Sequence, residues 1–230
     1  YGDANVKSAV NYYVQQRPGV EYTRSENRTA FQGYAARPPL AFNAKLGAAA
    51  TAHTTAMVDA AEQSHQLPGE KSLGDRIRDE SYPFLLVGES VYAYAKNMVH
   101  AHAGFAIDWG QSVPGGETRP QLGHRDSLMN FSGTRDYVEC GISVQNESKP
   151  STDVGPKVLT IDFGRPADAG VRFVTGVCYQ DRDGDGEYDM GEGLAGVQIQ
   201  SAATNFYTVS SASGGYSLMG NLKNGTATGT

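Results

Sequence analysis

Residues 181–192, DRDGDGEYDMGE, hold carboxylates at Asp181, Asp183, Asp185, Asp189 and Glu192, with Gly184 and Gly186 among them. Carboxylates this close repel one another unless a cation lies between them. Calcium takes about six to eight oxygen ligands in a flexible cage. A twelve-residue loop meets that need with acids at positions 1, 3, 5, 9 and 12, a glycine at 6 and a backbone carbonyl at 7. Here Gly186 stands at position 6 and Glu187 offers the carbonyl. Magnesium is the poorer match because it demands near-octahedral geometry. The competing reading is a solvated acidic turn without an ion.

The flanks decide what calcium would do. A helix–loop–helix switch needs a helix on each side, whereas GVCYQ before the loop and GLAGVQIQ after it read as strands. A loop fixed between strands has no helix pair to open. Calcium there is expected to be structural, tying together a small β unit with little core of its own. The stretch TGVCYQDRDGDGEYDMGEGLAGVQIQ, with GGYSLMGNL further on, resembles the calcium-binding B-type (Sdr-type) repeats of bacterial surface adhesins. That resemblance covers about residues 172–230 and implies an extracellular β-sandwich stalk module whose final strand is missing or truncated.

The second candidate chemistry is spread over the first half. His53 lies on an Ala-rich helical run, where a packed or half-exposed histidine is expected. His100 and His102 are two residues apart and do not share a helix face, which argues against a joint metal site. His65 in SHQLPGE and His124 in GHRDSLM stand at element boundaries. Glu89 in VGESVYAYAKN reads as an acid in the first turn of a helix, where the dipole favours it.

In order, RPPLAFNAKL, AHTTAMVDAAEQSH, DRIRDESY, GES, FAIDWG, GHRDSLMN and YVECGISV resemble the CAP superfamily (cysteine-rich secretory proteins, antigen 5, pathogenesis-related proteins) in its bacterial form. The resemblance spans about residues 35–145. It implies an α-β-α sandwich with a central cleft lined by two histidines and two acids, where many members bind a divalent cation, often zinc. His65 matches the first histidine, Glu89 the acid of the GEN-type motif and His124 the second histidine. The remaining acid is open. Eukaryotic members carry it one helical turn after a tryptophan, where this chain has Ser112; Asp108, just before Trp109, is the nearest acid, with Glu117 as the poorer alternative. The third residue of the GEN-type motif is Ser90 here, and the disulfides of eukaryotic members are absent.

Two neutral imidazoles and a carboxylate suit zinc or another divalent cation and leave a position for water. With Glu89 as base, His65, Glu89 and His124 become catalytic candidates for a metal-dependent hydrolase of peptide or cell-wall material. The chain has no HExxH, no GxSxG and no cysteine nucleophile beside a histidine. The reading therefore leans away from an enzyme. It favours a secreted or cell-surface bacterial protein whose His/acid-lined cleft binds a lipid, glycan or peptide, as part of a longer surface protein.

These sites need elements to hold them. The run 41–62 repeats Leu46, Ala49, Ala50, His53, Met57 and Ala60 at helical spacing. Further helices are expected over 72–80, 89–97 and 101–109, and one within residues 1–18 closed by Pro18-Gly19. Residues 136–145 alternate as a strand. The expected fold class is α+β: a domain over 1–150, a linker over 151–171 with one strand-like run, KVLTIDF, and a small all-β sandwich over 172–230. The net charge of −6 argues against nucleic acid, and no apolar run is long enough to span a bilayer. Cys140 and Cys178 sit in strand-like runs of different halves and read as two separate buried thiols, with pairing left open.

Overall fold

The computed structural model describes residues 37–107, 123–130, 135–149, 153–168, 170–201 and 206–220. The expected helix within residues 1–18 lies outside them. The first unit begins with strand β1 (Ala41–Phe42) and helix α1 (Ala44–Ala60). Asn43 caps α1, its side-chain oxygen accepting the N–H groups of Lys45 and Leu46. Helix α2 (Leu73–Asp79) opens on Ser72, whose hydroxyl accepts the N–H of Asp75. Strand β2 (Phe84–Ala95), helix α3 (Met98–Ile107), helix α4 (Gly123–Leu128), strand β3 (Glu139–Asn146) and strand β4 (Lys157–Pro166) complete it.

The sheet order is β1-β3-β4-β2, with β1 parallel to β3 and the other pairs antiparallel. Helix α1 covers one face. Its Met57 packs with Val91, Ala93 and Val158, and its Thr54 hydroxyl donates to Thr160. Gly141 makes this contact possible, because a Cβ there would lie 2.0 Å from the backbone nitrogen of Gly47. On the other face Phe105 of α3 and Leu128 of α4 pack with Ile161, Phe163 and Tyr137. The first unit is thus α+β, with helices on both faces of a mixed sheet. Each fully buried side chain of the size of Met57 or Phe105 contributes about 1.5–3 kcal/mol.

Two expectations change. The run 89–97 is not a helix: Glu89 lies in strand β2, so no helix dipole acts on it. Tyr and Val favour the strand, and antiparallel pairing with β4 over most of its length overrides the Ala and Glu of this run. KVLTIDF is the heart of β4, between β3 and β2 and buried on both faces from Val158 to Gly164. The stretch read as a linker therefore carries the strand on which the first unit closes.

The second unit has strands β5 (Arg172–Val177), β6 (Gln198–Gln200), β7 (Tyr207–Val209) and β8 (Gly215–Gly220). They pair antiparallel as β5 with β8 and β6 with β7. Leu218 is its one buried apolar side chain among the described residues, so its core is thin. It meets the first unit where the Phe42 N–H donates to the Ser217 hydroxyl at 3.0 Å. Cys140 and Cys178 are both half-buried and unpaired, and burial, with the charge of Glu139, pushes the Cys140 thiol up to about 11.

Candidate functional site

The α1 face of the sheet carries a cluster of charged groups. Side chains at cross-strand partners share a face. Glu89 on β2 lies opposite Asp162 on β4, and Asp162 shares its face with Thr160, which touches α1. Both acids thus point into the layer between sheet and helix. His53 enters from α1, Glu70 and His65 from the segment after it, and Arg76 from α2.

Glu89 is at the centre. Its Oε1 lies 2.9 Å from Nδ1 of His65, and its Oε2 accepts Nη2 of Arg76 at 2.9 Å. Its side chain is 2% exposed, whereas that of His65 is 60% exposed. A buried carboxylate thus orients an imidazole at the surface. With Nδ1 donating to Glu89, Nε2 is left as the acceptor on the exposed ring. Nη2 of Arg76 also donates to the backbone carbonyl of His65 at 3.1 Å.

Behind this pair, His53 is fully buried. Its Nδ1 is 2.7 Å from Glu70 Oε1 and its Nε2 is 2.9 Å from the carbonyl of Ser64. Both ring nitrogens face acceptor oxygens. Burial raises the Glu70 carboxyl, but the Leu67 N–H and His53 outweigh it, and the group is held below its ordinary value. Asp162 goes the other way. Burial first, and then the negative charge of Glu89, push it up to about 8. Neither of its oxygens has a donor facing it, which suits a carboxyl that keeps its proton.

The expected cleft set divides here. His65 and Glu89 come together. His124 lies on the other side of the sheet, its ring 5.5 Å from that of Phe105 in the cluster with Ile161 and Phe163. Asp108, with Trp109, Ser112 and Glu117, lies outside the described residues. Among the described residues, His65, Glu89 and His124 do not come close enough to share one ion; the group whose oxygens do is Asp181, Asp183 and Asp185.

Sequence reasoning set His53 aside as a packed helix histidine and passed over Glu70, Arg76 and Asp162. Asp162 had a readable signal, a lone acid inside an apolar β-branched run. Arg76, in DRIRDE, looks like any solvated helix charge.

The acidic loop has a different construction. Asp181, Asp183 and Asp185 are exposed, with ligand oxygens within 4.8 Å of one another. Backbone N–H groups hold them. Asp181 accepts from Gly184 at 2.7 Å and from Gly186 at 3.0 Å, and Asp185 accepts from Glu187 at 2.8 Å. Gly184 and Gly186 both have φ +80, the left-handed region that turns the chain back over Asp181. Glu192 is buried and accepts the N–H groups of Arg182 and Asp189 at 2.7 and 3.0 Å, closing the loop. A bridge between Tyr179 and Gly193 fixes its base.

No family model matches this chain, and no curated protein matches it. Among solved structures, it is similar to an extracellular protein containing an SCP domain from Bacillus anthracis, with a TM-score of 0.41 and 24% identity. That likeness covers 60% of this chain and 36% of the other, so this chain spans about a third of that protein's length. It is also similar to an outer surface protein from Borrelia burgdorferi, with a TM-score of 0.42, 12% identity, and 70% and 92% of the two chains covered. Both likenesses are too loose to assign a family, a location or a ligand. No helix among the described residues is long and apolar enough to cross a membrane.

Proposed function

We propose that this chain is a CAP-type protein of the bacterial exterior that binds a ligand at His65 and carries a structural calcium module. The observation that supports the cleft is the pair itself. Residues 24 apart in sequence, His65 and Glu89, meet at 2.9 Å with the acid buried and the imidazole exposed. Burying a carboxylate is costly unless it is paired, so this arrangement favours a role for the group it orients. A lipid headgroup, glycan or peptide offering a hydrogen-bond donor suits the exposed imidazole. The ordered motifs of residues 35–145 support the CAP assignment and, with it, an extracellular or cell-surface location.

The experiment is an NMR titration of the whole chain with lipid vesicles, wall glycans and peptides. Shifts centred on His65 that vanish in His65→Ala support the reading; no shift with any of the three ends it. The rival reading, a hydrolase of peptide or wall material using His65 and Glu89, requires turnover that is lost in the same variant.

The calcium reading rests on the loop. Asp181, Asp183, Asp185, Asp189 and Glu192, with the Glu187 carbonyl, offer oxygen donors in the order calcium takes them. Backbone N–H groups hold the Asp181, Asp185 and Glu192 carboxylates. When bound, the ion supplies the positive charge this cluster lacks. Elemental analysis tests it: calcium that co-purifies with the chain and is lost in Asp183→Ala/Asp185→Ala is the expected result.

A further inference from the structure

A divalent ion in the His65 pocket would need Glu89 as its carboxylate and His65 as an imidazole ligand. Both are engaged. One Glu89 oxygen faces His65 Nδ1, and the other accepts Arg76 Nη2, each at 2.9 Å. Arg76 is 8% exposed, and its Nε lies 3.6 Å from Glu70 Oε1, so one guanidinium stands between two carboxylates. His53 is turned to Glu70 and the Ser64 carbonyl, with its Nε2 also 3.8 Å from Glu89 Oε2, and His124 belongs to the opposite face of the sheet. Nε and Nη1 of Arg76 have no hydrogen-bond partner among the described residues. A buried guanidinium left partly unpaired costs stability, so packing alone does not account for it.

We infer that Arg76 is the cation of this pocket, standing where a divalent ion would otherwise sit between Glu89 and Glu70. Arg76 is then a positioning residue: it holds Glu89, and Glu89 holds His65 as a hydrogen-bonding group. A guanidinium is a fixed positive charge, so part of the pocket's negative charge is offset without metal supply. The inference rests on reading this pocket as the cleft only for its importance. Metal measurements test Arg76 whether or not an organic ligand binds.

The full chain, kept in saturating calcium and stripped of other metals, is equilibrated with zinc, and the bound zinc is counted by elemental analysis. Wild type and His65→Ala are expected to bind equal amounts. Arg76→Met is expected to gain about one zinc per chain, which adding His65→Ala removes and Arg76→Lys does not show. Zinc bound by wild type and lost in His65→Ala overturns the inference. So does a folded Arg76→Met chain that gains none. Should Arg76→Met not fold, the wild type decides by NMR of the Arg76 side-chain nitrogens. Signals that zinc leaves in place support the inference, and signals displaced at saturating zinc overturn it. Failure of every organic ligand to bind would alter none of these outcomes.

Discussion

The pocket around Glu89 and the loop around Asp183 both gather carboxylates, yet they treat charge in opposite ways. In the pocket, Glu89, Glu70 and Asp162 lie under a helix, and the chain supplies its own relief through Arg76, His53 and a retained proton. In the loop, Asp181, Asp183 and Asp185 are exposed, and among the described residues the hydrogen bonds that hold them come from backbone N–H groups. Backbone dipoles orient carboxylates but do not cancel their charge. The contrast teaches that a cluster of acids indicates an external cation only where internal ones are lacking.

The largest test of the contrast removes the internal cation. Arg76→Met leaves Glu89 and Glu70 with only the His53 ring between them. Breaking a buried pair from one side costs about 3–5 kcal/mol. Urea unfolding of the first unit should show a loss of that order, and zinc should restore part of it in the variant alone. A loss under about 1 kcal/mol would mean that water already screens the pair.

Removing the external cation comes next. Chelation of the calcium-loaded chain should lower the melting temperature of the second unit and expose residues 181–192 to protease, with the first unit unchanged. An ion present at about 100 times its dissociation constant contributes about 2.7 kcal/mol. In a unit whose core holds one buried apolar side chain among the described residues, that is a large share of its stability. Equal protease resistance with and without chelator would place the loop with the self-sufficient pocket.

The third test concerns the retained proton. Native Asp162 keeps its proton up to about pH 8, while the unfolded chain releases it near an ordinary carboxyl value. The native state therefore binds more protons through this window, and stability falls as pH rises through it. Between pH 6 and pH 8 one such group accounts for about 2.3 kcal/mol. Asp162→Asn, which stays neutral, should flatten this part of the profile and be more stable than wild type at pH 8. An unchanged slope would mean that Asp162 is ionised throughout.

How much of this was legible in the sequence follows from distance along the chain. The loop is local: its carboxylates and glycines lie within twelve residues, and spacing alone gives their order. The pocket is not. His65 and Glu89 were legible through an ordered set of motifs, but Arg76 and Asp162 reach Glu89 only through the packing of α2 and the pairing of β4 with β2. The misread strand has the same cause. GESVYAYAKN contains residues suited to helix and to strand, and the partner that decides, β4, begins more than sixty residues later. KVLTIDF, isolated among Pro, Ser and Gly, looked like part of a linker because nothing near it in sequence is its neighbour in the sheet.

The smallest expected effect is also the sharpest discriminator. His65 is 60% exposed, and its bond to Glu89 lies at the rim of the pocket. Surface ion pairs and hydrogen bonds contribute about 0–1 kcal/mol, so His65→Ala should barely move the melting temperature. Because Arg76 still holds the other Glu89 oxygen, the buried acid stays paired. Ligand shifts in the cleft should nevertheless vanish. Stability kept with binding lost would assign His65 to recognition and Arg76 to support. Stability lost by more than about 2 kcal/mol would mean that Glu89 needs both partners and that the rim is part of the buried pair.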